Sequence, residues 1–152
     1  MAKIKPKQIS DLNTANGLVQ LNGSGTIPNE LLPPGLSGVY MDKQIHYVGE
    51  LFLLESSQYW RVLDDIYLNE VRFDIESTPT GSGQTVAKLI KNNDLNSVLY
   101  TATFTAGDYS YTNTNNVAIS YGDKISLAIT ETTSGFHGSD LTVSIKYAKT
   151  QD

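Results

Sequence analysis

Three stretches of the chain alternate, Ala128 apart, between apolar and polar side chains. Val71, Phe73 and Ile75 alternate with Arg72, Asp74 and Glu76. Ile125, Leu127 and Ile129 alternate with Lys124, Ser126, Ala128 and Thr130. Leu141, Val143, Ile145 and Tyr147 alternate with Thr142, Ser144 and Lys146. A period of two marks a strand with one face buried and one face in water. Val98, Tyr100, Ala102 and Phe104 repeat the pattern less cleanly, and 84–91 and 44–54 read as further strands. Between these runs lie clusters of Gly, Asn, Asp, Ser and Pro at 78–83, 92–94, 106–108, 121–123 and 135–140. Such residues supply turn conformations and cap free backbone amides. Strands about ten residues apart, separated by such turns, predict an all-β antiparallel β-sandwich of jelly-roll type.

The pattern changes near residue 39. All 14 aromatic residues lie from Tyr40 onward, whereas four of the five prolines (Pro6, Pro28, Pro33 and Pro34) lie before it. A segment without large aromatic side chains does not readily build its own core. Residues 1–39 therefore read as an extended N-terminal arm and 40–152 as the sandwich domain. The arm carries Ile4, Ile9, Leu12, Leu18, Val19, Leu21, Ile27, Leu31 and Leu32, more apolar surface than a solvated linker has. These side chains are expected to lie on a protein surface, which makes them the candidate attachment residues. Asn16-Gly17 and Asn22-Gly23 flank a short extended piece, and Pro28 fits the first position of one helical turn.

Composition narrows the function. The 152 residues hold 11 basic and 16 acidic side chains, a net charge of −5, which argues against duplex nucleic acid as a partner. There is no cysteine, so thiol chemistry, disulfides and cysteine-ligated metals are excluded. No apolar run reaches the length of a membrane-spanning helix. The start, Met1 to Lys7, is basic but lacks the apolar core of a signal peptide, so the expectation is synthesis in a cytoplasm.

Little chemistry is on offer. His46 and His137 are far apart in sequence; the neighbours of His46 suggest packing, His137 sits in a Gly-rich turn, and each is expected to be structural or merely solvated. Gly81-Ser82-Gly83-Gln84-Thr85 superficially resembles a phosphate loop but lacks its lysine and leads into a strand, so a hairpin connection is expected. Asp123 and Asp140 stand at strand starts, where a carboxylate caps amides, and no calcium-loop spacing surrounds them. Asp64-Asp65 reads as a solvated turn. No cofactor or metal is expected, and no enzyme. Aromatic residues are the one enrichment that bears on recognition. Tyr100, Tyr109, Tyr111 and Tyr121 crowd a short region, and Trp60 follows Tyr59. Each has two readings: packing in the core or at an edge, or contact with a receptor or protein partner.

Two stretches carry a resemblance. Asp11 to Pro33, with Asn16-Gly17-Leu18-Val19-Gln20-Leu21-Asn22-Gly23-Ser24-Gly25-Thr26-Ile27-Pro28 at its centre, resembles a linker of bacteriophage tail fibres and other virion proteins. In the second stretch, Thr78-Pro79-Thr80-Gly81-Ser82, Lys91-Asn92-Asn93, Tyr121-Gly122-Asp123-Lys124-Ile125 and Gly138-Ser139-Asp140-Leu141-Thr142-Val143 follow one another. That order resembles the β-sandwich domains of phage fibre and head-decoration proteins. Asn93-Asp94 stands where Asn-Gly is usual in that pattern, which predicts a longer turn there.

The resemblance implies a virion structural protein, often a homotrimer. Its leading form is a capsid decoration (cement) protein held to the major capsid protein on the outer head surface by its arm. The alternative is a short tail-fibre or receptor-binding protein attached to tail proteins. A carbohydrate-active enzyme or lectin ranks last, because no acid–base pair stands out.

Overall fold

The structure, a computed structural model, describes residues 40–149. Within them the chain forms nine strands: β1 Tyr40–Glu50, β2 Trp60–Arg61, β3 Ile66–Ser77, β4 Thr85–Lys91, β5 Asp94–Phe104, β6 Ser110–Asn113, β7 Val117–Ile119, β8 Lys124–Glu131 and β9 Ser139–Lys149. All pairings are antiparallel. One sheet has the order β1-β9-β3-β6, with β7 also paired to β3; the other has the order β2-β8-β4-β5. Successive strands mostly lie in opposite sheets, and only the β4–β5 link joins neighbours by a two-residue turn. This is the jelly-roll arrangement of the β-sandwich that the alternating pattern predicts. The expected arm, residues 1–39, lies outside the described residues.

The alternation translates directly into layers. Leu68, Val71, Phe73 and Ile75 of β3 meet Leu141, Val143 and Ile145 of β9 on the inner face of the first sheet. Ala87 and Leu89 of β4, Tyr100, Ala102 and Phe104 of β5, and Ile125, Leu127 and Ile129 of β8 face them from the second. Burying each Leu, Ile, Val or Phe side chain among them contributes about 1.5–3 kcal/mol.

Three expectations about connections need correction. The run 44–54 is not one strand: β1 ends at Glu50. Gly49 has φ +92 and Asp140 opposite has φ +56, and the Gly49 amide donates to Asp140 Oδ1 at 2.8 Å. The register breaks there, and the chain crosses so that Leu54 bridges Ile129 in the other sheet. The Asn92-Asn93 turn is not lengthened. Both residues take φ +58, and Lys91 pairs directly with Asp94, which gives a two-residue turn with both centres left-handed. Asparagine tolerates that conformation well enough to stand in for glycine.

The 78–84 link is not a hairpin either, because β3 and β4 belong to different sheets. It crosses the end of the sandwich and binds the β8–β9 loop. Thr80 N donates to Phe136 O at 2.7 Å, and Ser82 N donates to Ser134 Oγ at 3.0 Å.

Carboxylates tie down the turns. Asp94 accepts from Asn96 N and Ser97 Oγ, Asp108 from Thr105 Oγ1 and N, and Asp123 from Asn92 Nδ2 and Ser120 N. These bonds stabilise the ionised form, so Asp94, Asp108, Asp123 and Asp140 are held below the usual carboxylate range. Asp123 and Asp140 therefore act as amide caps, as their place in the sequence implied. Asp65 does the same for Tyr121 N at 2.7 Å, and Asp64 pairs with Lys149 at 2.7 Å on the surface.

Candidate functional site

Among the described residues no three His, Asp or Glu side chains gather as metal ligands would. The histidines are far apart in role. His46 points outward from β1 and its Nδ1 lies 3.1 Å from Thr142 Oγ1, so the packing role expected of it does not hold. His137 is half-buried. Its ring meets Phe52 edge-on at 5.3 Å, and its Nδ1 lies 3.5 Å from Glu50 Oε1 without hydrogen-bond geometry.

The aromatic residues separate into different places. Tyr100 belongs to the core. It is 3% exposed, and its hydroxyl donates to Asn115 O at 2.6 Å. As a receptor or partner contact it is therefore ruled out. Burial pushes its phenol up to about 12 from an ordinary 10.0. The folded state thus disfavours the phenolate. Stability from this group is intact below pH 10 and is lost as pH rises from about 10 towards about 12. Tyr100→Phe is expected to cost about 1 kcal/mol at neutral pH through the lost hydrogen bond. It should also flatten the alkaline decline, which thermal melts at a series of pH values would read.

Tyr109 and Tyr111 lie on the exposed flank where β6 closes the first sheet. Tyr111 stands opposite Phe73 and meets its ring edge-on at 6.5 Å, while Tyr109 is 54% exposed. Trp60 sits on the other flank, since β2 and β6 lie at opposite ends of the two strand orders. It packs on the core and leans on Tyr147, ring centres 5.0 Å apart. The structure thus does not unite Trp60, Tyr109 and Tyr111 in one site. The nine candidate attachment residues from Ile4 to Leu32 lie outside the described residues.

Two clefts were not foreseen from the sequence. The first, about 340 Å³, opens between the edge strands of the two sheets. Lys43 to His46 of β1 line one wall and Ser57 to Trp60 the other. The second wall is built by an irregular edge: Ser57 N donates to Leu127 O, and Leu127 N donates to Ser57 Oγ at 2.9 Å. The wall then enters β2, where Trp60 pairs with Ile125.

The second cleft, about 430 Å³, is apolar and lined by Leu53, Leu54, Leu95 and Ile129 with Glu55 and Thr130. It depends on a bulge. Ile90 pairs with Val98 and Lys91 with Asp94, so residues 95–97 leave the ladder and carry Leu95 to the cleft. Val48 near the end of β1 and Phe52 and Leu53 on the β1–β2 connection add exposed apolar surface, Val48 being 87% exposed.

Neither cleft was legible because each joins residues from opposite sheets or from a bulge. An exposed apolar run, Phe52-Leu53, was the one available signal, and it reads equally well as the end of a buried strand.

No protein-family model and no curated protein sequence matches the chain. Among solved structures, a chain of the acidic stable capsid of Helicobacter pylori bacteriophage KHP30 is similar, with TM-score 0.54 and 8% identity over 72% of this chain and 87% of that one. A chain of the disulfide-linked pili of Bacillus endospore appendages is 13% identical over 74% of this chain and 88% of that one, with TM-score 0.41. Pika GITRL is 17% identical over 69% of this chain and 84% of that one, with TM-score 0.39. At such identities the likeness is one of fold, and the capsid chain is the one whose score supports it: the described domain is a β-sandwich of a kind that also occurs in a phage shell.

Proposed function

We propose that the chain is a structural protein of a bacteriophage virion, a decoration protein that sits as a trimer on the outer head surface and stabilises the shell. The observation that carries this reading is the shared sandwich: most of a chain in a phage capsid structure superposes on the described domain. The phrase from Asn16 to Pro28 supports it independently, because it resembles attachment linkers of virion proteins. The chemistry is compatible. The domain offers carboxylates that cap turns and a continuous apolar core, which suit a scaffold.

In this reading residues 1–39 bind the major capsid protein through Ile4, Ile9, Leu12, Leu18, Val19, Leu21, Ile27, Leu31 and Leu32. Lys3, Lys5 and Lys7 meet acidic shell surface. Docking costs the arm its conformational entropy, which buried apolar area offsets. Three arms per trimer raise avidity through effective concentration. Deleting residues 1–39 is expected to abolish co-sedimentation with undecorated capsids while leaving a trimeric, cooperatively melting domain. Equal binding by the 40–152 fragment would remove the arm from the account.

The linker phrase is also at home in tail fibres, which favours a second reading: a short fibre or receptor-binding protein on the tail. Binding of the 40–152 fragment to host cells would support that reading over decoration.

A further inference from the structure

We propose that the free edge of β1 is an interface with a second copy of this chain, the two β1 strands pairing antiparallel about Gln44. β1 is 11 residues long and lies at the end of its sheet, so among the described residues β9 is its one ladder partner. From Tyr40 to Tyr47 it pairs with β9 at every position without a break. A regular edge strand presents a row of unpaired amides and carbonyls, a template for another strand. β5, the other long edge, is interrupted by its bulge. The first cleft separates β1 from the 57–60 wall, which leaves room along the edge.

Face and charge select the register. About a two-fold axis, the residue at the axis meets its own copy and its neighbours pair outward from there. An axis between two residues would set core-facing side chains against outward ones, so the axis falls on a residue. On Asp42 or Lys43 it would place like charges directly opposite, which destabilises the pair. On His46 it would place Asp42 against Glu50. On Gln44 it places Asp42 against His46 of the second copy, and no like charges meet.

The groups are poised for that pairing. The Asp42 carboxylate has no hydrogen-bond or ion-pair partner among the described residues, because Lys146 beside it lies over the Tyr40 ring instead. His46 turns Nδ1 to Thr142 Oγ1 at 3.1 Å, which leaves Nε2 to face a carboxylate. The same register puts Tyr40, 42% exposed, opposite Val48, the most exposed large apolar side chain of the described domain. An aromatic ring against a β-branched side chain is a favourable cross-strand pair. On the core-facing side Met41 meets Tyr47 and Lys43 meets Ile45. Every pair except the central one occurs twice by symmetry.

The inference goes beyond attachment to a shell and does not rest on it. In the decoration reading, the β1 contact would join copies of neighbouring trimers.

The chain has no cysteine, so a single introduced thiol reports the register. The test oxidises the full-length Gln44→Cys chain mildly and follows disulfide-linked dimer on a non-reducing gel. Residues directly opposite in an antiparallel pair have Cα atoms about 4.5–5.5 Å apart, within disulfide reach. Asp42→Cys sets the two thiols about four residues apart along the strands, and Ser144→Cys lies one strand further in on the same face, so both are expected to stay at background. Adding His46→Asp to Gln44→Cys sets Asp42 against aspartate twice and is expected to slow linking about tenfold. Adding Asp42→Lys as well is expected to restore it. Thermal melts confirm that the variants are folded. Absence of linking in Gln44→Cys, equal linking in Asp42→Cys or Ser144→Cys, no effect of His46→Asp, or a loss that Asp42→Lys does not recover would each overturn the proposal. The experiment uses the purified chain without capsids, so its failure is distinguishable from failure of the attachment reading.

Discussion

Truncating Phe73 to alanine is expected to lower the stability of the sandwich by about 3–5 kcal/mol. Phe73 is fully buried at the centre of β3, the strand that pairs with β9 on one side and with β6 on the other. Its ring lies across the register from Val143 and touches Tyr111 edge-on. Removing it loses the transfer free energy of the ring and leaves a cavity that two sheets fixed by hydrogen bonds close only in part. A domain of this size has only about 5–15 kcal/mol in total, so the variant should sit near the edge of folding. Tyr109→Ala is the control. That residue is half-exposed and should shift stability by no more than about 0.5 kcal/mol. Urea melts of both variants read the difference. A loss below about 1 kcal/mol for Phe73→Ala would mean that the core is not where the alternating pattern puts it.

Gly81→Ala is expected to be the most damaging substitution outside the core. Gly81 has φ +89, and a Cβ there would lie 2.6 Å from the Gly135 amide nitrogen. Two costs add. The backbone conformation is unfavourable for any L side chain, about 1–2 kcal/mol. The clash is with main chain, so the β3–β4 and β8–β9 loops have to separate, which threatens the bonds from Thr80 to Phe136 and from Ser82 to Ser134. Gly107→Ala isolates the first cost, because Gly107 has φ +95 but nothing within 4 Å of the added carbon. Gly81→Ala should exceed Gly107→Ala by about 1–3 kcal/mol, the further cost of local strain. Equal losses would show that the two crossing loops are not in contact.

The parts of the fold legible in the sequence are the strands whose large apolar residues recur with period two. β3, β8 and β9 announce themselves, because every second residue enters the core and a slip by one would expose the whole set. β2, β6 and β7 escape notice: four residues or fewer on a sheet edge carry too little alternation to distinguish them from loop. The β1 boundary was misplaced for a different reason. Gly49 and Asp140 bend the pair together, and the residues after the bend stay apolar because they serve the other sheet. Local pattern reports burial but not which sheet supplies it.

The same limit governs the surfaces. Tyr100 and Tyr109 look alike in sequence, yet one is held by Asn115 in the core and the other faces water. The first cleft joins positions 43–46 to 57–60, neighbours only once two edge strands from opposite sheets flank each other.

The central claim is that this protein belongs on a phage head. Immunogold labelling of intact virions with an antibody raised against residues 40–152 tests it most directly. The account predicts label spread over the head. Label confined to the tail, or none on any particle, would contradict it.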